Sequence, residues 1–358
     1  MAGNEGQARR HIEFMSTAPG YNRQVAMRLG VALLLFVRAE PVRTQDARIG
    51  IIDFYGLRHV SEGQAREALK IVEGDMVPDS VTEAERRVAA LPGVVSARVR
   101  RVCCDGGRAI LYIGVEEQGD PDLQFRSAPQ GSIRLPDDVV QAGDDFSKAA
   151  VQAIQRGDAG EDHSKGHALM HDPTARAIQE RFITYAARDL SRLRDVLRHS
   201  ADGEHRGLAA QVLGYADKRA VVGDLVYGMD DPSEEVRNNS MRALWVIATL
   251  ASRSPELKIR VPTKAFIRLL NSPVWSDRNK ASLALMELSN SRDLALLRSL
   301  RKEALRSLIE MARWKSDGHA AAALWLLGRI SGMSEDHIQA TWNRGDRETV
   351  IHAALKRR

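Results

Sequence analysis

The sequence predicts two unlike parts: a small α+β domain of order β-α-α-β-β over residues 49–117, followed by an all-α array of helical hairpins over residues 173–358. Three observations carry that reading. Between 49 and 117, apolar residues come in short, partly alternating runs bounded by Gly and Pro, as strands and brief helices require. Beyond 173 they fall at helical spacing. Within that region one segment recurs at a fixed interval, which is the mark of stacked helical hairpins. Its clearest copy runs Met229-Asp230-Asp231-Pro232-Ser233-Glu234-Glu235-Val236-Arg237. An acidic turn ends one helix, and Pro232 opens the next where its missing N–H costs little. Arg237 is followed by a small residue three positions on (Ser240) and by Leu seven on (Leu244). Arg206 repeats the spacing with Ala209 and Leu213, Arg278 with Ala281 and Leu285, and His319 with Ala322 and Leu326, at intervals of 31, 41 and 41 residues.

With 358 residues, 44% of them hydrophobic and 28% charged, the chain has the composition of a globular protein large enough for two or three domains. The net charge of +5 is unevenly spread. Residues 176–358 carry 31 Lys+Arg against 22 Asp+Glu, whereas residues 117–172 carry 5 against 11. Solvated helix faces joined by an acidic linker account for this; so does a basic array that meets an acidic partner, its own linker included.

The first 39 residues read as a leader. An apolar run at 29–37 is too short to span a bilayer but fits the core of a secretory signal, and Val37-Arg38-Ala39 offers a cleavage site. Arg28 supplies the positive end, which makes Met27 a candidate start. A periplasmic or secreted protein is expected, attached to a membrane at most peripherally.

In the α+β part, Ile49 to Phe54 read as a strand closed by Tyr55-Gly56. Ser61 and Gln64 form one capping box, Ser80 and Glu83 a second, and Ala65, Leu69 and Val72 share a helical face stopped by Gly74. Val95, Ala97 and Val99 alternate with polar residues. Asp105-Gly106-Gly107 makes a turn, and Ala109, Leu111, Ile113 and Val115 return as a strand. This stretch resembles a POTRA domain in Ile52-Asp53-Phe54-Tyr55-Gly56-Leu57, the Glu73-Gly74-Asp75 turn, Leu91-Pro92-Gly93-Val94 and the closing Val115-Glu116-Glu117. The resemblance implies an envelope protein that binds polypeptides, often by adding a strand to a sheet edge. No succession of alternating barrel segments follows, so a pore of its own is not expected. For the adjacent Cys103 and Cys104 three readings stand: free thiols, a strained vicinal disulfide that stiffens the turn, and a redox or metal role.

Residues 118–172 read as an acidic linker with a candidate helix at 137–156, whose apolar positions are Val140, Phe146, Ala150 and Ile154. His163, His167 and His171 would share a face if helical, with Glu161 or Asp172 completing a metal shell. Gly166 and Pro173 weaken that helix, and a polar loop is the other reading. No metal or cofactor is assigned.

The repeats resemble HEAT repeats, so the C-terminal part is expected to be a HEAT-repeat α-solenoid. Ala177, Arg181, Phe182, Tyr185 and Ala186 make an amphipathic lead-in helix that caps the array, and Val350, Ala353 and Leu355 face inward on a closing helix. The resemblance implies that the anchor Arg is tied to an acidic residue of the preceding turn, such as Asp231. The stripe of each second helix that packs on nothing is the expected binding face: Asn238, Arg242, Trp245 and Thr249, then Asn279, Leu283, Met286 and Asn290. Trp and Met beside Arg and Asn have the mixed character of an interface, and packing of Trp245 and Met286 between repeats is the other reading. Asn238, Arg242, Trp245, Asn279 and Met286 are therefore the candidate protein-binding residues.

Neither a P-loop, a dinucleotide fingerprint nor a Ser-His-Asp arrangement occurs, and no catalytic residue is nominated. The expected function is a non-catalytic adaptor with protein partners in the bacterial envelope and no nucleic acid. Two alternatives remain. HEAT-like arrays also occur in bilin lyases and in deoxyhypusine hydroxylase, although the latter needs repeated His-Glu pairs and this chain has only Glu204-His205 and lone His319. A basic helical array could also bind nucleic acid if the chain is not exported.

Overall fold

The computed structural model describes residues 48–121 and 123–357; the apolar run at 29–37 and the cleavage site after Ala39 lie outside them. The chain is mostly helical, with a small N-terminal mixed sheet followed by a helical array. Strand β1 (Ile49–Tyr55) leads through α1 (Glu62–Leu69) and α2 (Thr82–Ala89) to a hairpin of β2 (Val94–Asp105) and β3 (Arg108–Glu117). The strand order is β1-β3-β2, with β3 parallel to β1 and antiparallel to β2.

The capping box that starts α1 forms, with Ser61 Oγ accepting from the Gln64 N–H and Gln64 Oε1 from the Ser61 N–H. The helix stops at Leu69, before Gly74, because Lys70 turns left-handed at φ 54°, and Val72 is exposed. The second box does not form. Ser80 Oγ accepts from Thr82 N–H, and Glu83 is drawn to Arg86 and Arg87 one turn on. Beside the hairpin turn Cys103 is disulfide-bonded and so not a free thiol, where the β2–β3 pairing shifts between Val102 and Asp105.

One face of the sheet packs Ile52, Leu111, Ile113 and Val115 on Leu69, Ala84 and Val88 of the two helices. Tyr55, Val102, Ile110 and Tyr112 of the other face join the core of the array. Strand β3 is thus buried on both faces, which requires a near-continuous apolar run in place of simple alternation. Gly114 sits where β3 meets the array; a Cβ there would lie 1.9 Å from the Pro273 carbonyl oxygen.

The acidic stretch does not hang free. Its first part straps along the loops of the array. Arg126 N–H donates to the Asp230 carbonyl at 3.0 Å, the Phe125 ring lies 4.0 Å from the Arg237 guanidinium, and Leu135 N–H donates to His205 Nδ1 at 3.0 Å. Helix α3 (Asp137–Gln155) follows, burying Val139, Ala142, Phe146, Ala150 and Ala153, a face turned about one residue from the expected one. A two-residue hairpin, β4 (Glu161–Asp162) with β5 (Leu169–Met170), leads to α4 (Pro173–Arg188), whose N-terminus Asp172 caps by accepting from Ala175 N–H. Arg188 pairs with Asp138 across α3 and α4 at 2.8 Å, so the basic part does meet the acidic stretch.

The array runs α5 (Leu190–His199), α6 (Gly203–Leu213), α7 (Lys218–Gly228), α8 (Glu234–Arg253), α9 (Lys264–Leu269), α10 (Trp275–Leu288), α11 (Leu294–Ala312), α12 (Asp317–Ser331), α13 (Glu335–Asn343) and α14 (Arg347–Lys356). Helices α6, α8, α10, α12 and α14 stack in succession as one layer, and α5, α7, α9 and α11 each back the helix that follows. Every small residue and Leu of the repeat spacing is buried in these contacts. On α14 the buried residues are Val350, Ile351 and Ala354, and Leu355 points out, contrary to expectation.

The ion pairs of Arg206 and Arg237 run forward, to an acidic residue of the next hairpin, where one in the preceding turn was expected. Arg206 makes a two-pronged pair with Asp231, at 2.9 and 2.8 Å, and Arg237 does the same with Asp277, at 3.0 and 2.9 Å. Each also donates back to two carbonyls of the turn before its own helix, Arg206 to Ser200 and Ala201 and Arg237 to Asp231 and Pro232. The ladder then changes. Arg278 pairs with Glu310 on α11 at 2.8 Å and lies 4.5 Å from the Tyr55 ring, while Glu310 also accepts from Gly56 N–H. At the next anchor His319 takes the hydroxyl of Tyr112 as partner. The sheet therefore docks at the point where the ladder gives out.

Candidate functional site

Asn238, Arg242 and Trp245 do share one face of α8, and Asn279 continues it on α10, but the expectation that this stripe packs on nothing is overturned. Asn238, Arg242, Trp245, Thr249, Asn279 and Leu283 are buried; Met286 is half-buried and only Asn290 is exposed. Three pieces of the chain close over the face. From the β4–β5 hairpin, the Glu161 carboxylate meets the Arg242 guanidinium and His163 Nε2 at 2.9 Å, and the His163 ring stands edge-on to Trp245 at 5.2 Å. From the sheet, Tyr112 stacks on Trp275 at 5.3 Å and shares a 2.8 Å hydrogen bond with His319 Nδ1. From the C-terminal side, Trp342 of α13 packs on Trp325 of α12, with Met286 beside them.

The three histidines of the acidic stretch part company because no helix forms there. Gly166 adopts φ +70° and turns the chain between β4 and β5. His163 goes to Glu161, His167 stacks on Tyr215 and bonds Lys218 Nζ at 2.8 Å, and His171 N–H bonds the Gly160 carbonyl. Among the described residues no group of three His, Cys, Asp or Glu is placed to hold a metal ion. His205 of the lone Glu204-His205 pair serves the strap through Leu135.

Under the cover lies a polar cluster of which Lys280 is the member the sequence did not single out. Lys280 on α10 is 1% exposed and its Nζ has no hydrogen-bond partner; the same holds for Asn279 Nδ2, Arg242 Nη1, Asn238 Oδ1 and His319 Nε2. Burial pushes the Lys280 ammonium down to about 7, with Arg242 adding to the shift and Glu161 opposing it. Burial pushes the Glu161 carboxyl up, but Arg242 and His163 outweigh it and hold it below its ordinary value. His319 is driven down to about 4, first by burial and then by Lys280. A signal for Lys280 existed: a Lys directly after Asn279, on a helix whose neighbours are Ala, Ser and Leu, falls where the stacked layer allows little solvent.

No protein-family model matches this chain, and no curated protein does. Among the described residues no helix is long and apolar enough to cross a membrane.

The histidine shifts have a measurable consequence. His319 binds its proton near 4 when folded and near 6.5 when unfolded, so between these values the unfolded chain holds more protons and stability falls as pH falls. His167, also near 4, acts in the same sense. Each unit of pH inside the window is worth up to about 1.4 kcal/mol per group. Urea melts are expected to show roughly 2 kcal/mol lost per group between pH 6.5 and 5. The loss is expected to shrink by about half in His319→Gln.

Proposed function

We propose that this chain is a non-catalytic, polypeptide-binding adaptor of the bacterial cell envelope, built as a POTRA-like domain on a HEAT-repeat solenoid and binding through the outer edge of β2. The observation that carries the reading is the strand order β1-β3-β2, which leaves β2 with β3 on one side and no strand on the other among the described residues. Both faces of the sheet are already used, one by α1 and α2 and one by the array. The start of β1 is guarded as well, by backbone hydrogen bonds with Gly74 and Asp75. What remains is a twelve-residue edge, and an unpaired edge is a template for an added strand. Val95 on this strand is 58% exposed, as a contact for an incoming side chain needs to be. One edge amide is guarded by the protein itself: Val99 N–H donates to Glu85 Oε1 at 2.8 Å. That bond limits promiscuous pairing and is exchangeable for a partner's carbonyl.

The envelope half of the proposal rests on the apolar run at 29–37 and is tested by cell fractionation with N-terminal sequencing. A mature chain beginning near Glu40 in the envelope fraction is the expected result; retention of Met1 or Met27 in the cytoplasm sinks it. For the binding half, a photo-crosslinking residue is placed at Val95 and, as a control, at exposed Leu294 on the array. A discrete adduct from position 95 that Ala97→Pro abolishes, at unchanged melting temperature, supports strand addition. An adduct indifferent to the proline, or found only at 294, moves the binding face off the sheet.

A further inference from the structure

We propose that the enclosed cluster between α8, α10 and α12 is a binding site for a small carboxylate, held by Lys280 and Arg242 with Asn279 as a neutral donor. This goes beyond the adaptor reading and uses a different surface.

The first argument is satisfaction of polar groups. Lys280 Nζ, Arg242 Nη1, Asn279 Nδ2 and His319 Nε2 are all buried without a partner, on three successive helices of one layer. Leaving a buried donor unpaired costs about 1–3 kcal/mol, more for a charged one, so stability alone would favour an apolar side chain at 280. The second argument is charge. The groups that act on Lys280 are Arg242 from α8 and Glu161 from the hairpin, and Lys280 in turn acts on His319 from α12. With Lys280 protonated two cations face one carboxylate, and His319 is neutral above about 4. One further negative charge balances the cluster. The third argument is a precedent within the chain. Arg242 already takes a carboxylate, that of Glu161, on Nη2, which leaves Nη1 to take a second in the same plane. Because the hairpin, the sheet and α13 close the face from three directions, the ligand is small. The cover over Arg242 is the β4–β5 hairpin, a ladder of only two residue pairs.

A bound carboxylate restores the charged form of Lys280, since an anion beside a buried ammonium reverses the effect of burial. Above pH 7 binding therefore takes up a proton, and apparent affinity falls about tenfold per pH unit until the bound-state value is reached. The test uses the full chain with sodium acetate as probe, and sodium chloride and sodium phosphate at equal ionic strength as comparisons. Expected results are a higher melting temperature in acetate than in chloride. Calorimetric titration at pH 8, in two buffers of different ionisation heat, is expected to report uptake approaching about one proton per acetate bound. Lys280→Met, which removes a buried unpaired cation, is expected to fold with a raised melting temperature and to lose the acetate effect. Equal melting in acetate and chloride overturns the proposal. So does acetate stabilisation that persists in Lys280→Met, or binding at pH 8 with no proton uptake in the wild-type chain, a result that needs no variant. A response to phosphate alone overturns the single-charge argument and with it the proposal.

Discussion

Asp231→Ala is expected to lower the stability of the chain by about 3–5 kcal/mol, because it strands a buried arginine. Asp231 is 0% exposed and takes both prongs of Arg206, with Arg126 at 3.4 Å and the Ser233 N–H at 2.9 Å as further donors. Removing the carboxylate leaves Arg206, itself 2% exposed, with only the carbonyls of Ser200 and Ala201 to hold its charge. The change also loosens the strap, since Arg126 loses its anionic partner while keeping its contact with the Tyr227 ring. The double change Arg206→Met with Asp231→Leu separates the charge penalty from packing. Replacing both members of a buried pair by apolar residues is often close to neutral, so the double variant is expected to recover most of what the single one loses. Urea unfolding of the three proteins measures this directly. A single-variant loss under about 1 kcal/mol would mean that water reaches Arg206 and that the ladder does not hold neighbouring hairpins together.

How much of this was legible in the sequence depends on whether the contact was local. The spacing of Arg206, Arg237 and Arg278 with their small residues and leucines located α6, α8 and α10, because helix stacking repeats every hairpin and leaves a periodic trace. The strand and helix order of residues 49–117 followed from alternation and caps for the same reason. What failed were judgements about the partner of a surface. Trp245 was placed on a free stripe because nothing in its own repeat covers it; its cover is the Glu161 to Met170 hairpin, some eighty residues away. At the three histidines the polar loop forms as read, with Gly166 at the turn, and what went unseen was the two-residue strand pairing on either side of it. Tyr55 was read as the residue closing a strand, yet it is buried and its hydroxyl donates to the Pro273 carbonyl at 2.9 Å. The signal that could have exposed the second buried face of the sheet was the unbroken run from Ala109 to Val115. A strand with one wet face has no need of Ile110 and Tyr112.

Tyr112 carries the other large effect. Its ring lies 5.3 Å from Trp275 and 4.9 Å from Trp314, and its hydroxyl bonds His319, so one side chain of β3 meets three residues at the edge of the array. Tyr112→Ala is expected to cost about 3–5 kcal/mol, the range for emptying a fully buried aromatic site. Its more informative consequence concerns cooperativity. What then remains between sheet and array is the smaller apolar contact of Tyr55, Val102 and Ile110 and a set of polar, partly exposed bonds, among them Lys315 N–H to Asp53 and Gly56 N–H to Glu310. Without the aromatic wedge those contacts are too weak to make the two parts unfold together. The wild-type chain is expected to melt in one transition and Tyr112→Ala in two, with proteolysis of the variant falling in the strap at residues 123–136. Tyr112→Phe isolates the hydroxyl: it keeps the stacking, leaves His319 Nδ1 unpaired, and is expected to cost only about 1–2 kcal/mol without splitting the transition. A single sharp transition in Tyr112→Ala would show that the contacts other than Tyr112 suffice to couple sheet to array. The sheet would then be held by those contacts, and the stack of Tyr112 on Trp275 would be filling space between two parts already joined.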